Sequence, residues 1–178
     1  MRLLLIISTL LFCSCSNNPE IVKEFINTDN IAIERIEGAE ILQTQKGILN
    51  VKITAETIER FDNIQPHLVF SNGFEVVFYC DSGLVKSILQ AKDAEIDEIN
   101  NIMIASNSVV LTSSSGEKLE TEELIWDEDK NKIFTDRKVV ITTEKELIQG
   151  EGFQSKPDFS EYTISKIKGI FNFESPNN

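Results

Sequence analysis

The sequence feature that most constrains the fold is a pattern of turns and apolar segments that recurs about every 30 to 36 residues. Glycine ends a short turn at Gly47, Gly83 and Gly116, and acidic turns alternate with these glycine turns at residues 62–63, 97–98, 127–129 and 157–158. Repetition at such a period is typical of supersecondary units that stack and bury a continuous core between them. The sequence therefore predicts a long, open-ended structure of stacked hairpins.

Between the turns, apolar residues alternate with polar ones at period two, which predicts strands with one buried face. Each segment is expected to open a new hairpin, with residues 132–135 forming a short strand that ends before the next one begins at Arg137. The predicted fold class is all-β, an open twisted β-jelly-roll or stacked-hairpin sandwich with little helix. The apolar positions of the opening strands are Phe74, Val76, Phe78, Val109, Leu111, Val139 and Ile141.

Small residues recur midway along the strands that return from the glycine turns. At these positions we expect a strand to bend around the corner of a flattened barrel, where a bulky side chain would collide with the adjacent strand. The small residues are Ala55, Ala91, Thr121 and Gly150.

The last segment, residues 162–173, opens a repeat that the chain does not complete. Its outer backbone groups would then lack a neighbouring strand, and an unpaired edge of this kind invites pairing with another chain. We therefore predict a docking edge for a partner protein at Ile164, Ile167, Ile170 and Phe171.

Residues 1–14 have the composition of a secretory signal peptide. Their apolar run, residues 3–12, is too short to cross a bilayer as a helix. Ser14 supplies the small residue that a lipoprotein signal peptidase needs before the cysteine it leaves at the new N-terminus. We predict that Cys15 carries a lipid anchor and that residues 15–30 tether it to the domain. An ordinary secretory leader with incidental cysteines is the alternative.

The charge balance limits the partners of the chain. It has 29 acidic against 17 basic residues and a formal net charge of -12, so nucleic acid and anionic membrane surfaces would repel it. Residues 31–174 are long enough for one domain with its own core, and residues 175–178 form a polar tail. Acylation of Cys15 would leave Cys80 without a disulfide partner, and Cys80 is predicted to be a small residue in a strand.

The sequence offers no constellation that predicts catalysis. The single histidine, His67, has no nucleophile elbow beside it, and no cysteine or histidine cluster has zinc spacing. The acidic turn at residues 127–131 resembles a calcium loop, but Lys132 and Lys138 occupy the positions where such a loop needs glycine and glutamate. We expect no enzyme activity, no metal and no cofactor, although plentiful carboxylates leave a carbohydrate-active enzyme as an alternative.

In the order and spacing of its repeats, the chain resembles the LptC-like periplasmic component of the lipopolysaccharide-export ABC transporter. The residues that carry the resemblance are 47–62, 107–129 and 137–153, with 168–170 after them. Members of this family from enterobacteria have a transmembrane anchor, so the lipobox ending at Cys15 marks a lipoprotein variant.

The resemblance implies a jelly-roll whose slot-like interior holds the acyl chains of lipopolysaccharide, and it assigns the seven apolar positions of the opening strands to that slot. It also implies three kinds of partner, which are lipopolysaccharide, the inner-membrane transporter subunits and an LptA-like periplasmic bridge protein. The expected location is periplasmic, anchored through Cys15, with the inner membrane favoured. A β-rich structural or adhesive envelope lipoprotein without lipid transport is the alternative function.

Overall fold

The computed structural model describes residues 32–62 and 65–172, and these residues form an all-β structure without a helix. The predicted fold class is confirmed. Cys15, the leader, the tether and the polar tail lie outside the described residues. The strands in chain order are β1 (Glu34–Gln45), β2 (Ile48–Arg60), β3 (Leu68–Tyr79), β4 (Val85–Ala91), β5 (Asp93–Asp97), β6 (Ile102–Ser113), β7 (Lys118–Asp127), β8 (Lys132–Thr142), β9 (Glu146–Ser155) and β10 (Thr163–Asn172).

The strands pair with their neighbours in sequence and form one antiparallel sheet. Its order is β1-β2-β3-β4-β6-β7-β8-β9-β10, and β5 continues the line of β4 between β3 and β6. Strands β1 and β10 each have only one neighbour in the described part of the chain, so they are the two edges of the sheet. Gly47, Gly83 and Gly116 all have positive φ, as the tight turns between successive strands require.

Most strands bend near the middle, where the pairing register shifts. The shifts fall next to the predicted small residues: β2 shifts after Ala55, β7 after Thr121, and the line of β4 and β5 breaks after Ala91. The bend folds the sheet into two layers. The strand halves that end at the turns of Gly47, Gly83 and Gly116 form the glycine-turn layer. The halves that end at the acidic turns form the acidic-turn layer.

The two layers pack face to face around a hydrophobic core. Phe78 in the glycine-turn layer and Trp126 in the acidic-turn layer belong to strands that do not pair, yet their rings meet edge to face at 5.1 Å. Phe70 and Phe74, on either side of the bend in β3, also meet at 5.1 Å. The core therefore lies between the layers, with the bends along one side and the facing turns along the other, which is the open side of the fold.

The structure corrects the predicted boundaries of several strands. Residues 132–135 are not a separate strand, because they and the following residues form the two halves of β8. Strands β3 and β6 likewise begin before their predicted starts and bend at Asn72 and at Asn107–Ser108, all with positive φ. The break in alternation, which predicts the end of a strand, is a bend within a longer strand.

Cys80 is also placed differently from the prediction. It follows β3 in the turn that ends at Gly83, half-buried, with its Sγ 2.8 Å from Ser82 Oγ. That hydrogen bond lowers the pKa of the thiol from its usual value.

Candidate functional site

The seven apolar residues predicted to line a slot lie together in one buried cluster between the layers. Their exposed fractions run from 0 to 4%. Glu75 and Lys138, at neighbouring positions of the alternation, are half-buried and exposed respectively. The alternation therefore separates a fully buried core face from a more exposed outer face of mixed polarity, on which Val77 and Ile88 lie. The seven predicted slot residues, Phe74, Val76, Phe78, Val109, Leu111, Val139 and Ile141, all belong to the core face.

The centre of the interior is filled with side chains. Phe70, Leu89, Leu119 and Ile133 are at most 1% exposed and close the space around the predicted slot residues. Small polar side chains complete the packing and are satisfied by the backbone, as when Thr121 Oγ1 donates to the Lys138 carbonyl at 2.9 Å. In this closed form, a guest could enter the centre only if the layers moved apart.

The core face stays open at the β1 edge of the sheet. Cross-strand partners share a face, and Ile36, Ala39 and Ile41 of β1 pair with buried Ile58, Ala55 and Ile53 of β2. Ile36 and Ile41 are 42% and 39% exposed, because no further strand within residues 32–62 and 65–172 covers them. An apolar cavity of about 330 Å³ lies among Ile36, Ala39, Ile41, Ile58 and Leu68.

These β1 residues are absent from the sequence-based site. Gly38, with a φ of 65°, bends β1 and interrupts its period-two alternation. Ile36 therefore shares a face with Ala39 and Ile41 although it is an odd number of residues away from both. The spacing of Ala39 and Ile41 is the only local signal of a core face here.

The core face is also open at the β10 edge. Ile164, Ile167 and Ile170 pair with Phe153, Gly150 and Ile148 of β9, all of which are buried. Ile164 packs against the core, whereas Ile167 and Ile170 are 57% and 52% exposed. Phe171 directly follows Ile170 in the strand and pairs with Leu147, so it lies on the outer face. The predicted docking residues are therefore distributed over both faces of the sheet.

Charged side chains surround the two open ends. At the β1 edge, Arg60 contacts Glu34 at 3.5 Å and Glu98 at 2.8 Å. At the β10 edge, Glu151 lies between Lys166 at 3.3 Å and Lys168 at 3.6 Å, and hydrogen bonding to Lys166 is the main reason why the pKa of Glu151 is lowered. Salt bridges this exposed contribute little to stability, so they mainly keep the edges soluble.

The described residues hold no cluster of three or more potential metal ligands among their histidine, cysteine and acidic side chains. His67 is half-buried in the connection that leads into β3. Within residues 32–62 and 65–172, no helix is long and apolar enough to cross a membrane. The distinctive chemistry of this part of the chain is thus its apolar interior with two open ends.

A comparison with protein families identifies the class of protein to which this chain belongs. The family described as lipopolysaccharide-assembly, LptC-related, matches residues 3–170. The chain belongs to the LptC-related family. No curated protein matches the chain.

Membership of the LptC-related family confirms the predicted resemblance and gives the chain a role in lipopolysaccharide transport. The family consists of transport components and is not a family of enzymes. Its members are periplasmic and associated with the inner membrane. The apolar interior is therefore the candidate functional site of this LptC-related protein.

Proposed function

We propose that this protein binds the lipid A acyl chains of lipopolysaccharide between its two layers and passes them on. It receives the lipid from the inner-membrane ABC transporter subunits and delivers it to an LptA-like periplasmic bridge protein of the same fold. The seven buried residues of the opening strands, with Phe78 and Val109 at their centre, form the acyl-chain site.

One observation carries this proposal: the apolar core face runs without interruption from Ile36 and Ile41 at one edge to Ile167 and Ile170 at the other. A compact domain that needed only a filled core would gain nothing from isoleucines left about half exposed at both ends. A neighbouring domain of the same fold, paired edge to edge, would extend the sheet and the apolar interior together.

The free energy of binding would come from burying hydrocarbon. Each methylene that an acyl chain removes from water contributes about 0.8 kcal/mol. This gain is reduced by the free energy that is needed to break the contacts between the two layers. Across the open side, side-chain hydrogen bonds run from Gln43 of β1 to Glu128 and from Ser87 of β4 to the Pro157 carbonyl. Opening on that side would leave the backbone hydrogen bonds between paired strands intact.

The β10 edge is the proposed docking edge for the bridge protein, through Ile164, Ile167, Ile170 and Phe171. Its outer backbone groups have no partner strand in the described residues, and a strand added there would pair with them. The β1 edge, at the other end of the same core face, would then meet the transporter. Lipid could pass from end to end without leaving an apolar environment.

The proposed anchor is a lipid on Cys15, which holds the domain in the periplasm at the inner membrane. Ser14 before the cysteine and the polar residues after it support this assignment. Two or more acyl chains hold a protein on a bilayer durably, whereas one chain gives only reversible binding.

Photo-crosslinking tests the acyl-chain site. A photoreactive residue at Phe78 or Val109 should capture lipopolysaccharide when the transporter is supplied with ATP. The same group at Glu75 or Lys138, on the outer face, is the matched control and should capture little. Equal capture on both faces, or capture at neither, would overturn the proposal and favour a structural envelope lipoprotein with a permanently filled core.

A further inference from the structure

The connection between β9 and β10, residues 156–162, lies across the open side of the fold, and we name it the strap. It leaves β9 in the acidic-turn layer. Its Pro157 carbonyl accepts a hydrogen bond from Ser87 at the start of β4, in the glycine-turn layer. Ser87 pairs with Phe78 of β3, and Pro157 shares with Phe78 and Trp126 the lining of a cavity of about 400 Å³. The strap therefore joins the two layers directly beside Phe78.

The strap also places an aromatic side chain in the core. Phe159 is 2% exposed and belongs to the buried cluster that contains the seven proposed acyl-chain residues. Its ring centroid lies 5.6 Å from that of Phe153 and 5.3 Å from that of Tyr162. The next two residues, Ser160 and Glu161, are exposed, as is usual for a connection between strands. Phe159 thus fills part of the apolar interior without belonging to a strand.

The backbone of the strap is held in an uncommon conformation. Phe159 and Glu161 have φ values of 59° and 58°, in the left-handed region that is unfavourable for residues with a β-carbon. Within the strap, the Phe159 N–H donates to the Lys156 carbonyl at 3.0 Å, and Lys156 Nζ lies 3.3 Å from the Glu161 carboxylate. The strap can therefore move as a unit once the Ser87 hydrogen bond and the ring contacts of Phe159 are broken.

We propose that the strap is the gate of the acyl-chain site: Phe159 occupies the place of an acyl chain when no lipid is bound, and an entering chain displaces it. The gate rests on the proposed function, because it regulates access to the same site. Ring and acyl chain are both hydrocarbon, so their exchange keeps the interior dry in either state. Displacement also releases the unfavourable backbone conformation of Phe159.

Hydrogen–deuterium exchange of the full-length protein, purified in detergent, tests the movement of the strap. On addition of lipopolysaccharide we expect faster exchange in peptides that cover residues 156–162, at the concentrations that give crosslinking at Phe78. A loop that only packs against the core would exchange at the same rate or more slowly when a ligand binds. The acidic turn between β5 and β6, where Asp97 accepts from the backbone N–H groups of Ile99 and Asn100, is the internal control and should keep its rate.

Variants test the competition between the strap and the lipid. Phe159→Ala removes the competing ring and should bind lipopolysaccharide about tenfold more tightly, because more of the protein is then open to the ligand. Leu124→Ala, a large-to-small change at a position that is 1% exposed beside the bend of β7, is the matched control and should not tighten binding.

A second pair of variants keeps the test independent of the larger cavity that Phe159→Ala creates. Ser87→Ala removes the hydrogen bond to the strap and should tighten binding severalfold. Its control is Thr121→Val, which removes a buried hydroxyl that donates to the Lys138 carbonyl between neighbouring strands, and binding should stay as in the native chain. Circular dichroism checks that each variant is folded.

The outcomes distinguish the gate from the transport function. Crosslinking of lipopolysaccharide at Phe78 without faster exchange of the strap would overturn the gate and leave the acyl-chain site standing. Equal tightening by Phe159→Ala and Leu124→Ala would show a general loosening of the core and would also overturn the gate. Absence of crosslinking at Phe78 in the native protein would overturn the acyl-chain site and the gate together.

Discussion

Ile164 of β10 packs its Cγ2 methyl group into the space above Gly150 of β9 that the β-carbon of any other residue would occupy. The Lys166 carbonyl oxygen lies 3.0 Å from the same point, so the position is closed by backbone as well as by a side chain. Gly150 pairs with Ile167 across the two strands. The attachment of the last strand to the sheet thus depends on the absence of a side chain at this position.

Gly150→Ala should therefore destabilise the protein by about 1–3 kcal/mol, as overpacking of a closed site does. Chemical denaturation of the variant and the native chain measures the difference. Gly169→Ala is the matched control, since a β-carbon there meets Phe171 only at an ordinary contact distance of 3.4 Å. A smaller cost of Gly150→Ala in an Ile164→Ala background would identify the Cγ2 contact as the cause. Equal costs in both backgrounds would refute that explanation.

The sequence predicts the turns and the small residues well because both are local properties. Gly47, Gly83 and Gly116 are needed where φ is positive, and Gly150 where two strands approach closely, so each position carries its own signal. The core face follows as directly, since period two is a property of every strand.

What the sequence does not predict arises where a strand bends or where distant segments meet. Asn107 and Ser108 interrupt the alternation of β6 with positive φ, and an interruption of this kind looks the same as the end of a strand. Phe78 and Trp126, whose rings are in contact, belong to β3 and β7, which do not pair with each other. Only the folding of one layer onto the other brings them to the same place.

Docking of a bridge protein at the β10 edge predicts a sensitivity to charge on its core face. Replacing both Ile167 and Ile170 by lysine would place ammonium groups where the shared apolar interior continues, and an unpaired buried charge is strongly unfavourable. We expect capture of an LptA-like protein to fall by tenfold or more, as about 1.4 kcal/mol of lost binding free energy would produce. A pull-down assay at several concentrations measures the effect.

Ile99→Lys is the control for the β10 edge, because Ile99 is 66% exposed in the turn between β5 and β6, away from both edges. Circular dichroism shows whether the double variant keeps its β structure. Unchanged capture by a folded double variant would move the docking surface elsewhere, with the β1 edge around Ile36 and Ile41 as the next candidate.

Lipidation at Cys15 predicts a distinct biochemical phenotype for Cys15→Ala. The variant should accumulate as an uncleaved precursor and should no longer incorporate labelled palmitate, because the modified thiol is absent. Cys13→Ala, two residues earlier in the leader, should be processed and labelled normally. Labelling that persists in Cys15→Ala would show that the anchor is attached at another position.

The turn after Trp126 predicts a dependence of stability on pH. The Asp127 carboxylate accepts from Lys130 Nζ at 2.6 Å and from the Lys130 backbone N–H at 3.0 Å, and these hydrogen bonds hold the pKa of Asp127 below its usual value of about 3.8. A carboxyl whose pKa is lower in the folded state stabilises the fold above its unfolded pKa, and this contribution is lost as the pH falls through the lowered value.

Asp127→Asn keeps an oxygen for the backbone N–H but removes the charge that pairs with Lys130. We expect the variant to melt at a lower temperature than the native chain at pH 7. The difference should narrow as the pH falls below about 4, because the native carboxylate becomes protonated as the pH passes its lowered pKa and its advantage disappears. Lys130 is exposed, so added salt should also reduce the difference at pH 7.

Asp136→Asn, at an exposed position in the bend of β8, is the control, and its melting temperature should follow that of the native chain across the same pH range. A gap between Asp127→Asn and the native chain that stayed constant from pH 7 to pH 2 would show that the ion pair does not stabilise this turn.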